Sequence, residues 1–203
     1  MADAGLTPAD PRLQRALRII SDSAVDLERV GTDLLDLERA AVGRLQVAPR
    51  PLDLTELARE AVAVTLGSAR SASVPDGPVV ARVDPTLTPR ILESLLENAD
   101  RHTPPACEIG VDVAVDGARV RLTVWDRGPG VPDSDKDGIF ELFQRGPTQG
   151  DGTGIGLHVV RRFARLHGGD AWVDDQPGGG ARFCVELRAD RRIPRAREVP
   201  DEG

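Results

Sequence analysis

Between residues 12 and 46, apolar or small side chains return at steps of four and three: Leu13, Leu17, Ile20, Ala24, Leu27, Gly31, Leu34, Ala41 and Leu45, with Glu38 alone breaking the run. That spacing lays one stripe along one side of a helix. A helix of about 35 residues spans roughly 50 Å at ~1.5 Å per residue. Loops of the same chain do not cover so long a stripe, so the seam asks for partner helices in a dimer or a bundle. A helix laid along its own domain is the plainer alternative. Pro49 and Pro51 in "APRPLD" cannot continue a helix, and 48–53 therefore reads as a linker.

Beyond the linker the periodicity changes. Asp53 and Glu56 form a capping-box pattern for a helix over 54–66; 67–78 reads as a loop and 79–83 as a strand. "TPRILESLLENADRH" is a helix with Ile91, Leu92, Leu95, Leu96 and Ala99 on its apolar side. Alternation over 108–115 and 119–126, joined by Asp116-Gly117, predicts a hairpin. An irregular stretch, 127–151, precedes a helix over 154–167 and the strands "DAWVDD" and "ARFCVEL" around a "PGGG" turn. Helices on one side of a mixed, partly antiparallel sheet make an α+β two-layer sandwich.

Composition narrows the function. Asp+Glu number 33 against 26 Lys+Arg, a net charge of -7, which argues against direct nucleic-acid binding. Cys107 and Cys184 have no second Cys or His at metal spacing and read as buried small hydrophobes in a reducing cytosol. No apolar run reaches the ~18 residues of a membrane span. "MADAGLTPADPR" lacks the charged start and apolar core of a secretory signal. The expectation is a soluble, cytoplasmic chain.

Three segments carry chemistry. On the helix over 88–102, Ser94, Asn98, Arg101 and His102 share one face. An Asn amide oxygen suits Mg2+, which keeps most of its waters and borrows phosphate oxygens. Arg101 and His102 are then phosphate-binding groups, or simply cations offsetting the dipole at a solvated helix end. "WDRGPGVP" puts Asp126 at a strand end, followed by Gly128 and Gly130. A carboxylate there accepts from an exocyclic amine and bare glycines admit a flat base; an ordinary tight turn is the alternative. "GDGTGIGL" opens a helix with unpaired N–H groups and so makes an anion site. It is neither a P-loop nor a GxGxxG turn.

Together these segments resemble a known family. Residues 84–187 look like the ATP-binding domain of sensor histidine kinases, from the superfamily shared with gyrase, the heat-shock chaperone and mismatch-repair ATPases. "ILESLLENADRHTP" is similar to its N box, "DRGPGVP" to G1, "GIFELFQRG" to the F box, "GTGIGLHVVRRFARLHGG" to G2 and "GGGARF" to the closing glycine turn. The resemblance implies a Bergerat-type fold that binds Mg2+ and ATP. It makes Asn98 the metal ligand, Arg101 and His102 phosphate contacts, and Asp126 the acid on the adenine amine, with Gly128, Gly130 and Val131 beside the base. It further implies that Phe140 and Phe143 anchor a lid, and that Gly152, Thr153, Gly154, Ile155, Gly156 and Leu157 line the phosphates. Lys136 and Arg145 become lid cations near the γ-phosphate, and Asn98, Arg101 and Arg145 the catalytic set. This sequence departs from the family at Ser94, where a second Asn is usual, and at Gly138, where a cation is common.

Residues 12–47 resemble the second helix of the family's dimerising, phosphoacceptor module, but the helix carrying the H-E-x-x-x-P box is missing. His102, His158 and His167 are the only histidines, and all lie in the ATP-binding segment. The expected organisation is a flexible start 1–11, a dimerisation helix 12–47, a linker 48–53, an ATPase domain 54–188 and a disordered tail 189–203. The expected function is the catalytic part of a two-component histidine kinase that phosphorylates a histidine on a partner or a missing segment, not within this chain. Partners are a phosphoacceptor helix or subunit, a downstream response regulator, and a second copy or another subunit along 12–47. Any membrane association comes through a missing or partner sensor segment. The alternative is an ATP-binding regulator akin to anti-sigma Ser/Thr kinases.

Overall fold

A computed structural model describes residues 10–67, 70, 72–142 and 154–189. The flexible start expected over 1–11 and the tail over 189–203 fall almost wholly outside them. Helix α1 runs Pro11–Ala41. It ends before its apolar stripe does, because Arg44 N–H bonds the Arg39 carbonyl at 2.8 Å and Gly43 N–H bonds that of Ala40 at 3.3 Å, with Gly43 at φ 70°. This Schellman closure stops the helix ahead of the prolines. The stripe lies open: Leu17 is 56% exposed, Ile20 64%, Leu27 72% and Leu34 53%. Another side of α1 turns inward at its C-terminal end, where Val30 and Leu37 pack on the core and Asp33, Asp36 and Ala40 are buried.

The remaining elements are β1 (Arg50–Asp53), α2 (Leu54–Thr65), β2 (Ala72–Ser73), β3 (Val80–Val83), α3 (Leu87–His102), β4 (Ile109–Asp116), β5 (Arg119–Asp126), α4 (Gly156–Leu166), β6 (Asp170–Asp175) and β7 (Ala181–Arg188). The main sheet has the order β2-β4-β5-β7-β6; β2 joins parallel and the other pairs are antiparallel. Ile109, Val111, Leu122, Val124, Phe183 and Val185 alternate onto one face and meet α2, α3 and α4. The expected two-layer sandwich, with helices on one face of a mixed sheet, is the observed architecture. The open face carries the cations and rings: the Arg121 guanidinium sits 5.5 Å from the Trp172 ring centre and that of Arg127 5.6 Å from Trp125.

Two strands were not expected. The supposed linker is strand from Arg50, pairing antiparallel with β3, and the loop 67–78 contains β2. Pro51 is tolerated because a strand in a two-stranded sheet has one unpaired edge. Asp53 does cap α2, accepting from Thr55 N–H at 3.0 Å and Glu56 N–H at 3.3 Å. The Glu56 carboxylate bonds Arg59 instead of reciprocating. In the hairpin, Asp116 pairs with Arg119, so Gly117-Ala118 and not Asp116-Gly117 form the turn. Cys184 is buried as expected, whereas Cys107 is only half-buried. No helix among the described residues is long and apolar enough to cross a membrane.

Polar ties join α1 and the following segment to the sandwich. Arg90 of α3 bonds both Asp33 and Asp36 and lies 5.0 Å from the Phe163 ring centre, and Arg162 of α4 donates to the Ala40 carbonyl at 2.7 Å. Asp84 accepts from Ala48 N–H on one oxygen and from Thr86 and Leu87 N–H on the other. Burial pushes its carboxyl up, but those N–H groups, from Ala48, Leu87 and Thr86, hold it below the ordinary range. His167 accepts from Asp84 N–H at Nε2 and so donates from Nδ1 to the Phe163 carbonyl at 2.8 Å. Burial keeps its imidazole below the usual range.

Candidate functional site

Helix α3 buries Leu87, Thr88, Ile91, Leu92, Leu95, Leu96 and Ala99. With that stripe fixed, Ser94 and Asn98 come to lie half-buried on another side, and Arg101 and His102 reach the exposed end. The end of α3 is capped from elsewhere. Arg70, whose side chain is 7% exposed, pairs with the Asp100 carboxylate at 3.1 Å and donates to the Thr103 carbonyl at 2.6 Å. Arg70 thus already answers the negative end of the helix, which weakens the reading of Arg101 and His102 as mere dipole cations. His102 is held below the usual imidazole range by burial and then by the Arg101 charge, while the Asp126 carboxylate opposes both.

Asp126 ends β5, 5% exposed, on the helix-facing side of the sheet. Its Oδ1 accepts from Gly128 N–H at 2.7 Å, leaving Oδ2 without a hydrogen bond among the described residues. A Cβ on Gly128 would stand 2.8 Å from Asp126 Oδ1 and 3.2 Å from Thr103 Oγ1, so glycine keeps that ground clear. The closing glycine turn supports the segment from behind. Gly180, at φ 102°, approaches so closely that a Cβ there would lie 1.9 Å from the Asp126 carbonyl. Arg127 also donates to the Pro177 carbonyl at 3.2 Å. Gly130 stands over Gly180, and half-buried Val131 packs on the core.

The third wall is the start of α4. Ile155, 4% exposed, holds its N-cap position without a side-chain cap, and Gly154 precedes it at φ 68°. The N–H groups of Gly156 and Leu157 follow, with no capping partner among the described residues, at the positive end of the helix. A Cβ on Gly156 would be 3.9 Å from Ser94 Cβ, so this terminus lies against α3 one turn before Asn98. Phe140 is 2% exposed, meets Phe183 edge-on at 6.5 Å and lies beneath the Arg161 guanidinium. His158 Nδ1 lies 3.0 Å from the Phe140 carbonyl, tying α4 to the segment around Phe140; its position in the sequence carries no signal of this.

Lys136 lies at the end of β6. It pairs with Asp133 at 2.6 Å and Asp175 at 2.8 Å, and these bonds raise its ammonium above the ordinary range. Phe143, Arg145, Gly152 and Thr153 lie outside the described residues. No group of three or more His, Cys, Asp or Glu suited to a metal occurs among the described residues.

Residues 83–191 match the family model described as histidine kinase-, DNA gyrase B-, and HSP90-like ATPase. The sensor protein KdpD of Escherichia coli K12 is 34% identical over 173 residues, covering 83% of this chain and 19% of that protein. The chain therefore spans about a fifth of the length of such relatives. Among solved structures, the mycobacterial sensor histidine kinase MprB aligns with a TM-score of 0.62 at 27% identity, over 70% of this chain and 98% of that one. Full-length ShkA in complex with AMPPNP aligns with a TM-score of 0.69 at 26% identity, over 90% of this chain and 40% of that one.

Proposed function

The chain belongs to the histidine kinase-, DNA gyrase B- and HSP90-like ATPase family, and from that premise we propose that it is the ATP-binding catalytic part of a two-component sensor histidine kinase. It passes the γ-phosphoryl group of ATP to a histidine imidazole on a partner chain or on a segment beyond this sequence. The observation that carries this reading is Asp126: a buried carboxylate, one oxygen spent on Gly128 N–H and the other left to accept from the adenine amine. Arg101, His102 and the uncapped start of α4 receive the phosphates, with Gly152, Thr153 and Arg145 completing that side. Transfer of this kind needs chiefly alignment and charge neutralisation.

Magnesium fits the donors present, since Asn98 offers a neutral hard oxygen one turn from Ser94, whose hydroxyl can hold a metal-bound water. A bound Mg2+ would neutralise charge on the phosphates; the chain's own part is to hold Asn98 on α3 beside the α4 terminus. The contacts of the three histidines support an acceptor elsewhere. His167 is buried with both nitrogens bonded, His158 is engaged with Phe140, and His102 belongs to the phosphate side. The acceptor helix packs along the open stripe of α1, with a second copy of this chain or another subunit, in the cytoplasm. A response regulator takes the phosphoryl group onward.

Labelled ATP mixed with this chain and candidate phosphoacceptor helices should yield acid-labile phosphate on the helix. ATP binding with no such product would favour the regulator instead. Asp126→Asn should weaken ATP binding by roughly 1.5–3 kcal/mol, the range of a hydrogen bond to a charged group; unchanged affinity in a calorimetric titration would remove the adenine assignment.

A further inference from the structure

Phe140 is gripped at three points, and two of them come from one side of α4. Its ring meets Phe183 edge-on at 6.5 Å and lies 5.6 Å from the Arg161 guanidinium. Asp170 steadies that guanidinium, accepting from its Nε at 3.0 Å and from a terminal nitrogen at 3.4 Å. The third point is polar: the Phe140 carbonyl accepts from His158 Nδ1 at 3.0 Å. His158 and Arg161 stand three residues apart and so share a side of the helix. Ring packing explains why Phe140 is 2% exposed, but it sets no direction for the backbone. The hydrogen bond does.

That bond joins residues 18 positions apart. On one side of it lies a turn tied within itself, where Gly138 and Ile139 N–H bond the Asp135 carbonyl, both at 3.0 Å, and Glu141 N–H bonds that of Gly138 at 2.9 Å. The Phe140 carbonyl enters none of these bonds and is given to α4. On the other side lies the first turn of α4, whose start has no side-chain cap. His158 belongs to that turn, so its main-chain N–H is one of those a helix start leaves without an intrahelical partner. Its imidazole, meanwhile, reaches Phe140. A carbonyl can only accept, so Nδ1 carries the proton, and imidazole and imidazolium alike donate there. The sequence between the two bonded residues includes Arg145, Gly152 and Thr153. Fixing both ends of a stretch beforehand lowers the ordering cost of any contact it makes.

Resting on the ATP reading above, we infer that His158 is a positioning residue for the triphosphate: through its Nδ1–H on the Phe140 carbonyl it seats residues 138–142 against the first turn of α4. It touches no reacting atom. The glycines before it make this helix start an anion site, and the imidazole adds the seating.

Three substitutions, each titrated calorimetrically in the full chain with Mg2+ and ATP and with adenosine, test this. His158→Leu fills the space without a donor. His158→Asn can place an amide N–H where Nδ1 stands, whereas His158→Gln carries its amide one bond farther out. ATP should bind about threefold to tenfold more weakly to His158→Leu and His158→Gln, the effect of one neutral hydrogen bond. His158→Asn should stay near the unmodified chain. Adenosine, which has no phosphates, should bind the variants and the unmodified chain alike. An undiminished ATP affinity in His158→Leu overturns the inference while leaving ATP binding in place. So do equal losses in all three variants, or losses that fall on adenosine as heavily as on ATP. An unmodified chain that binds no ATP overturns the ATP reading and this inference with it.

Discussion

Helices α1 and α3 carry equally regular apolar stripes, and the protein treats them in opposite ways. On α3 Ile91, Leu92, Leu95 and Leu96 have no exposed surface, while on α1 Leu17, Ile20, Leu27 and Leu34 are each more than half exposed. The same spacing thus states that a face is to be covered without stating by what. On α3 the sheet covers it, which leaves the polar side of the helix to build a site. On α1 the sandwich takes a different side, at 30–40, and leaves the seam exposed.

The largest expected effect sets these helices against each other. Leu95→Ala should cost about 2–5 kcal/mol of global stability, the range for emptying a packed core position. Leu27→Ala should cost less than about 0.5 kcal/mol in dilute protein, as an exposed substitution does. At high concentration Leu27→Ala should lower the melting temperature, because association stabilises by mass action. Urea melts at two protein concentrations check both, and a matched loss for Leu27→Ala at dilution would break the comparison.

Next is the tie between the two regions. Arg90→Met strands two buried carboxylates, and removing one partner from such a cluster costs about 3 kcal/mol. Hydrogen exchange should therefore quicken over 30–41 with little change in β5 or β7. Asp33→Asn and Asp36→Asn, added to Arg90→Met, should restore much of the protection. Uniform quickening through the sheet would mean that α1 is part of the sandwich core and not an appended arm.

The smallest effect is on pH. Burial holds His167 below its ordinary range, and burial with the Arg101 charge does the same for His102. The unfolded chain therefore takes up protons first as pH falls below about 6.5. Stability contributed by the neutral imidazoles is present above that pH and is lost on acidification. Denaturant midpoints measured from pH 7 to pH 5 should fall, and the slope should flatten in His167→Gln. Because His167 belongs to the sandwich and not to α1, exchange over α1 should follow the global change and not precede it.

Much of this was legible beforehand. The core positions of α3, the strands 109–116 and 119–126 and the cap at Asp53 follow from periodicity and turn chemistry. The segments around Asn98, Asp126 and Gly156 stood out by residue type, and the family resemblance is what joined them into one expected site. Strand β2 was not legible, because two residues carry no alternation, and β1 was hidden by the prolines around it. The pairing of Lys136 with Asp175, 39 positions on, was not legible either, because nothing in the sequence marks the two as neighbours.

The amino-acid sequence by itself determined which segments fold and which chemical groups each one offers, since such signals are written within ten or so neighbouring residues. Only the tertiary structure decided which groups meet. Arg70 at the end of α3, Arg90 between Asp33 and Asp36, His158 at the Phe140 carbonyl and Thr103 beside Gly128 are all pairings between segments far apart in the chain. They depend on how the helices seat on the sheet, and close packing sets that seating for the molecule as a whole, not for any one segment.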